Sequence, residues 1–173
     1  MSFRVVEVVE YRDEWVSDFT REKGVIQSVL NSDNIVAIHH IGSTSVKDLC
    51  AKPIIDILIE VKNLDALDVK NDYMNSIGYR AKGEYGIPGR RYFQKGGEQL
   101  THQIHAFVTG SEGANRHLAF RDYLIAFPSV ALAYGRLKQE GAAICNNDIG
   151  VYCDYKDSFI KEHEATALKW KFA

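Results

Sequence analysis

Proline is scarce, three in 173 residues. No stretch collects Pro, Gly and Ser into a linker, and no repeat is visible, so a chain of this length reads as about one domain. Cysteine is equally sparse. Cys50, Cys145 and Cys153 are odd in number and lack metal-ligand spacing, which excludes a disulfide framework and a zinc knuckle. They are expected as reduced thiols of a cytoplasmic protein, behaving as small hydrophobes. No apolar run approaches the ~18 residues a membrane span needs. The opening Met1-Ser2-Phe3-Arg4-Val5-Val6-Glu7 lacks the basic-then-apolar order of a signal peptide. A basic excess is also missing: Lys+Arg is 21 against Asp+Glu 23, net -2, which disfavours duplex nucleic acid as a partner. What is present is ordinary, 46% hydrophobic and 25% charged with 13 Gly, and argues against disorder. A chain this long buries about two thirds of its unfolded surface.

The hydrophobic pattern predicts elements in order. Arg4 to Val9 is β-branched and reads as a short strand. Asp13 stands where a helix cap is expected, and Trp15, Phe19, Ile26 and Leu30 then form one helical stripe. Asn34 to Ile41 reads as a strand that breaks at Gly42-Ser43-Thr44-Ser45. Ile54 to Val61 is almost continuously apolar, as a strand buried on both faces requires. Leu64 to Ser76 reads as a helix closed by Gly78. Gly83, Gly86 and Gly89 mark a loop before Arg91-Tyr92-Phe93-Gln94-Lys95, and Gly96-Gly97 turns the chain into a return strand, Thr101 to Val108. Three helices follow. The first runs from Ser111 to Phe127 and is stopped by Pro128. The second runs from Ser129 to Ala143, with Val130, Leu132, Ala133 and Leu137 among its apolar positions, and the third from Asp154 to Lys169. Mixed strands and helices, a hairpin and a helical tail make this α+β.

The chemistry concentrates where the first long strand ends. Glycine at 42 lets the backbone approach a ligand, and the amides and hydroxyls after it can cradle phosphate. Asp56 is the informative residue, because a carboxylate inside an apolar strand is costly unless it meets a metal, a cation or donors. The residues alone leave a second reading open, in which Asp56 merely anchors a plain turn. Five of six histidines, at 39, 40, 102, 105 and 117, fall near these segments and can ligate metal or move protons. Alternation puts His105 with Gln103 on one face of its strand and His102 on the other, so His105 is the candidate for the Asp56 site. Histidines that simply hydrogen-bond in the core remain the other reading. Arg90, Arg91 and Lys52 can meet phosphate or carboxylate. A solvated hairpin with ordinary charge is the alternative. Phe120, Tyr123, Leu124 and Phe127 form a core stripe, and Arg121 can brace the helical tail to the site through a carboxylate. Tyr134 and Lys138 share a helical face; Lys138 can reach a phosphate or is an unspecific surface lysine, and His163 is expected to be exposed.

His40-Ile41-Gly42-Ser43-Thr44-Ser45-Val46 with Ala51-Lys52-Pro53-Ile54-Ile55-Asp56-Ile57 closely resembles the signature of the GrpB family. The resemblance continues through Gly83 to Phe93, His102-Gln103-Ile104-His105, Phe120 to Leu124 and Tyr134 to Lys138, nearly the whole chain in order. That family is similar to the nucleotidyltransferase superfamily, whose core joins a Gly-Ser turn to a strand bearing two metal-binding aspartates, and a related domain is fused to dephospho-coenzyme A kinase in some bacteria. The resemblance implies that Gly42, Ser43 and Thr44 cradle phosphate, that Asp56 holds Mg²⁺ with His105 as third ligand or general base, and that Lys52, Arg90 and Arg91 contact ligand charge. Ser43, Asp56 and His105 would form the catalytic set, with Asp56 and His105 as metal ligands. The sequence departs from the pattern at one point. Reading Asp56 as the first aspartate puts the second on Leu58, and reading it as the second puts the first on Ile54. Glu60 shares the face but lies about 13 Å along the strand.

The expectation is therefore an α+β protein with a nucleotidyltransferase-like mixed β-sheet core and flanking helices over 1–110, closed by a C-terminal helical subdomain over 111–173. It binds a nucleotide or other phosphorylated small molecule with Mg²⁺, and nucleotidyl transfer is the reaction if there is one. The alternative is a catalytically degenerate fold that binds a ligand or a protein partner and regulates it.

Overall fold

Ile55, Ile57, Leu58, Ile59 and Val61 are each at most 4% exposed. Burying each such side chain contributes about 1.5–3 kcal/mol, so the segment is driven into the interior. The computed structural model describes residues 5–172 and places this segment as β2 (Ile55–Val61). Before it come α1 (Glu14–Val29) and β1 (Ile35–Ile41). After it come α2 (Leu64–Asp68), α3 (Asn71–Ser76), β3 (Tyr79–Ala81), β4 (Arg91–Lys95) and β5 (His102–Val108). Three helices close the chain, α4 (Glu112–Ala126), α5 (Pro128–Ile144) and α6 (Ile149–Phe172). The sheet order is β1-β2-β5-β4-β3. β2 is antiparallel to β1 and parallel to β5, and β5 is antiparallel to β4, as β4 is to β3. The mixed sheet and the α+β class agree with the expectation.

One sheet face packs against α1, α2 and α3 through Trp15, Ile26, Leu67, Met74, Ile57, Ile59 and Ile104. The other face meets the helical tail, where Ile41, Leu58 and Phe107 pack on Ala114 of α4. Arg121 crosses between them, donating to the His40 carbonyl at 3.2 Å, and its carboxylate partner is its neighbour Asp122. Among the described residues, no helix is long and apolar enough to cross a membrane.

Several local expectations change. Arg4, at the start of the expected first strand, and Met1 to Phe3 of the opening segment lie outside the described residues, as does Ala173. Val5 to Val9 form no strand, only a bridge from Val9 to Ala51 outside the sheet. Asp13 occupies the cap position without a side-chain hydrogen bond. The helix expected over 64–76 is two short helices, while Gly78 does adopt φ +97° after the second. Pro128 begins α5 instead of only ending α4, since proline suits a first helical turn. The inward stripe of α5 is Ala131, Tyr134, Gly135, Lys138 and Gly141, while Leu132 is exposed.

Candidate functional site

The site is built where β1 runs out. Gly42 has φ +72°, a conformation side chains disfavour. A Cβ there would lie 2.6 Å from Asp56 Oδ2, so glycine is what lets the turn close onto the carboxylate. Ser43–Ser45 then wind into one 3₁₀ turn, and the Ser43 hydroxyl meets that of Tyr134 on α5. Asp56 pairs in register with Ile41 on one side and Gln103 on the other. Its Oδ1 is buried without a hydrogen-bond partner, 3.6 Å from His105 Nε2.

His105 is held from behind. Arg90 donates to its Nδ1 at 3.3 Å, and since guanidinium only donates, that nitrogen is the acceptor. Arg90 is 6% exposed. It also donates to the carbonyls of Glu84 and Tyr85 in the glycine-rich loop and lies over the Tyr92 ring. Burial pulls its guanidinium below the ordinary arginine range. Beside His105, at 4.9 Å between rings, stands His117 of α4. Its Nε2 is buried and unpartnered, and burial, then the charges of His105, Arg116 and Arg90, hold it well below the ordinary histidine range.

Gly42, Ser43, Asp56, His105 and Arg90 are thus brought together between the sheet and the helical tail. Others named from the sequence are not. Thr44 is 1% exposed and its hydroxyl meets His40 Nε2 at 2.9 Å, turned inward. Arg91 departs from the expectation: strand alternation sends it to the opposite face, where it forms a fork with Asp68 at 2.7 and 3.1 Å. His102 also faces away and lies 3.7 Å from Glu22. His39 pairs with Glu60 at 2.6 Å. His163 is not simply exposed; it packs on Phe159 at 4.2 Å and meets the Tyr123 hydroxyl at 3.3 Å.

Lys52 and Lys138, both named from the sequence, stand in a cationic wall whose third member, Lys156, and whose burial the sequence reading missed. Lys138 is 2% exposed, donates to the Cys50 carbonyl and lies over the Tyr134 ring. Burial lowers it to about 7, Lys156 and Lys52 adding to the effect against the pull of Asp56. Lys156 on α6 and Lys52 before β2 both lie over the Tyr152 ring, at 4.8 and 5.3 Å. One signal was available: Tyr134–Lys138 and Tyr152–Lys156 share the same i,i+4 spacing.

For a metal, Asp56 offers one buried oxygen without a partner. The two-carboxylate arrangement does not fit, because Leu58 is 0% exposed in an apolar cluster. Among the described residues, no group of three His, Cys, Asp or Glu side chains is placed to hold an ion. One protein oxygen fits only a Mg²⁺ whose other ligands arrive with phosphates and water.

The model of the GrpB protein family matches residues 5–166. UPF0157 protein YqkA of Bacillus subtilis is 46% identical over 168 residues, covering 97% of this chain and 49% of that protein. The chain therefore spans about half the length of that relative. The crystal structure of conserved protein GrpB from Enterococcus faecalis is similar with a TM-score of 0.91 and 40% identity, over 96% of this chain and 100% of that one. Terminal uridylyl transferase 4 from Trypanosoma brucei with bound CTP reaches a TM-score of 0.50 at 14% identity, over 97% of this chain and 58% of that one. That likeness concerns the fold alone.

Proposed function

The chain belongs to the GrpB family and has a nucleotidyltransferase-like fold, and from the geometry of its cleft we propose that it binds a nucleotide or other phosphorylated small molecule there. The observation that carries the reading is Asp56 Oδ1, buried without a hydrogen-bond partner, under a turn that only glycine at 42 allows. A buried carboxylate oxygen left unpaired costs about 1–3 kcal/mol or more, and a bound cation or donor removes that cost. Gly42 and Ser43 would receive phosphate through backbone amides and a hydroxyl, with Lys52 adding charge. Asp56 would hold a Mg²⁺ that arrives with the phosphates, which neutralises their charge. Arg90 would hold His105 so that its Nε2 faces Asp56 and an incoming hydroxyl. Nucleotidyl transfer is the reaction this arrangement suits.

A second reading has its own observation. With Leu58 in the place of a second carboxylate, the fold would bind its ligand without turning it over and act as a regulatory module for a protein partner.

Titrating ATP by calorimetry with and without Mg²⁺ tests the binding reading. Wild type is expected to bind more tightly with Mg²⁺, by tenfold or more, and Asp56→Asn to lose that difference while remaining folded. No Mg²⁺-dependent binding in wild type would overturn the metal role. Turnover of a bound nucleoside triphosphate separates transferase from regulatory module.

A further inference from the structure

The sheet face that carries Asp56 continues onto β5. Asp56 pairs there with Gln103, so the two side chains stand beside each other on one face. Each carboxylate oxygen has its own surroundings: Oδ2 lies under the Gly42 turn and Oδ1 toward His105 of β5. Gln103 is half-buried, and its amide makes no hydrogen bond with any described residue. Gln94, its partner on β4, spends its own amide on the Tyr92 hydroxyl at 3.2 Å. Gln103 instead lines a cleft of about 110 Å³ that reaches the start of α6. Val5, Val6, Ile54, Leu100 and Ile149 make much of its wall. Val5 and Ile149 are 55% and 40% exposed, apolar surface that a bound apolar group would take out of water. The charged groups on the cleft are Glu7 and Glu98 against Lys52, one more carboxylate than ammonium, which disfavours an anion.

We propose that this cleft binds a short uncharged aliphatic group, three or four carbons ending in an amide or a hydroxyl, with Gln103 as its polar contact. Volume sets the size. At about 30 Å³ for each water-sized group, 110 Å³ holds about four heavy atoms, fewer than a nucleobase ring contains. The walls set the polarity. A carboxamide both donates and accepts, so it matches a group that does the same, whereas a carboxylate only accepts and would face Glu7 and Glu98. The inference rests on the phosphate reading of the Asp56 site for one thing, the arrangement of two ligands. Phosphate would lie on the Gly42 side of the carboxylate and the aliphatic group on its β5 side. The cleft then selects the second, uncharged ligand by size and by the one amide.

Isobutyramide, isobutyrate and isobutylammonium, close in size and different in charge, are titrated into the full chain and followed by ¹H–¹⁵N NMR. In wild type, isobutyramide is expected to shift the Gln103 side-chain amide saturably and to bind at least tenfold more tightly than either ion. Gln103→Met, which keeps the volume and removes the amide, should weaken isobutyramide by fivefold or more. Ile149→Ser, at an exposed position, should weaken it threefold or more and keeps the test decisive if Gln103→Met does not fold. Val36→Ser, at an apolar residue of β1 that is 46% exposed, should change nothing. No saturable shift at Gln103, an ion that binds as tightly as the amide, or binding indifferent to both Gln103→Met and Ile149→Ser overturns the proposal. ATP binding with Mg²⁺ while isobutyramide does not bind sinks the cleft alone. Isobutyramide binding without any ATP binding sinks the phosphate reading and leaves the cleft standing. Where both bind, joint occupancy supports the two-ligand arrangement, and displacement of isobutyramide by ATP gives the cleft to the nucleotide and overturns it.

Discussion

Two carboxylates, Glu22 of α1 on one side of the sheet and Asp56 of β2 on the other, are treated differently. On the α1 side, Glu22 receives hydrogen bonds from the Tyr79 hydroxyl and Lys95 at 2.8 Å each, with His102 at 3.7 Å. Burial pushes its carboxyl up, but the bonds from Lys95 and Tyr79 and the charges of His102 and Lys95 outweigh that and hold it below the usual carboxylate range. On the helical-tail side, Asp56 has His105 at 3.6 Å and one oxygen with no hydrogen bond. Of the four buried side-chain atoms without a partner among the described residues, Asp56 Oδ1, His117 Nε2 and Tyr152 Oη lie on that second side. Buried polar groups are normally paired. The fourth, Asn71 Oδ1, lies on α3 on the first side, so the contrast is between the two carboxylates: Glu22 with its oxygen bonded is a brace, and Asp56 with one oxygen open keeps capacity for something that binds.

If that contrast is real, removing Glu22 should be the more damaging change. Glu22→Ala strands Lys95 and Tyr79 and breaks a buried pair, so urea unfolding should show a loss of about 3–4 kcal/mol. A smaller effect belongs to His40, which stacks on Phe19 of α1. Burial first, with Arg121 adding to it against Asp56, lowers His40 to about 4. Its folded value thus lies below the unfolded one near 6.5. The unfolded chain takes the proton first, so stability is full above that range and falls as the pH drops through it toward 4. Wild type should lose about 2 kcal/mol more than His40→Gln between pH 7 and pH 4.5, read from denaturant midpoints at each pH. The smallest effect is expected at Asp56. Asp56→Asn removes a charge whose Oδ1 has no hydrogen bond and only His105 at 3.6 Å, so stability should change by less than about 1 kcal/mol or rise. A loss as large as that of Glu22→Ala would make Asp56 a second brace and erase the contrast.

Much of the fold was legible locally. The apolar run before Val61, the glycine at 42 and the strand alternation that puts Asp56 and His105 on one face all follow from backbone geometry with a period of two. Alternation also separates Arg90 from Arg91, but reading them as one pair on a loop concealed it. Residue type alone says little where the environment decides. Glu22, in the stripe of Trp15, Phe19 and Ile26, looks like a solvated charge until Lys95, 73 residues away, is brought beside it. Lys138 looks like a surface lysine until the Cys50 carbonyl, 88 residues away, meets its ammonium group.

The sequence by itself determined the sheet-forming segments, the turn at Gly42 and the face on which each strand residue lies, because those depend on neighbours two to four positions away. Only the tertiary structure decided which charges are buried and which of those find partners. The free energy of a buried charge depends on what surrounds it, and around Asp56, Lys138 and Lys156 the surroundings come from β1, β2, β5, α5 and α6 together.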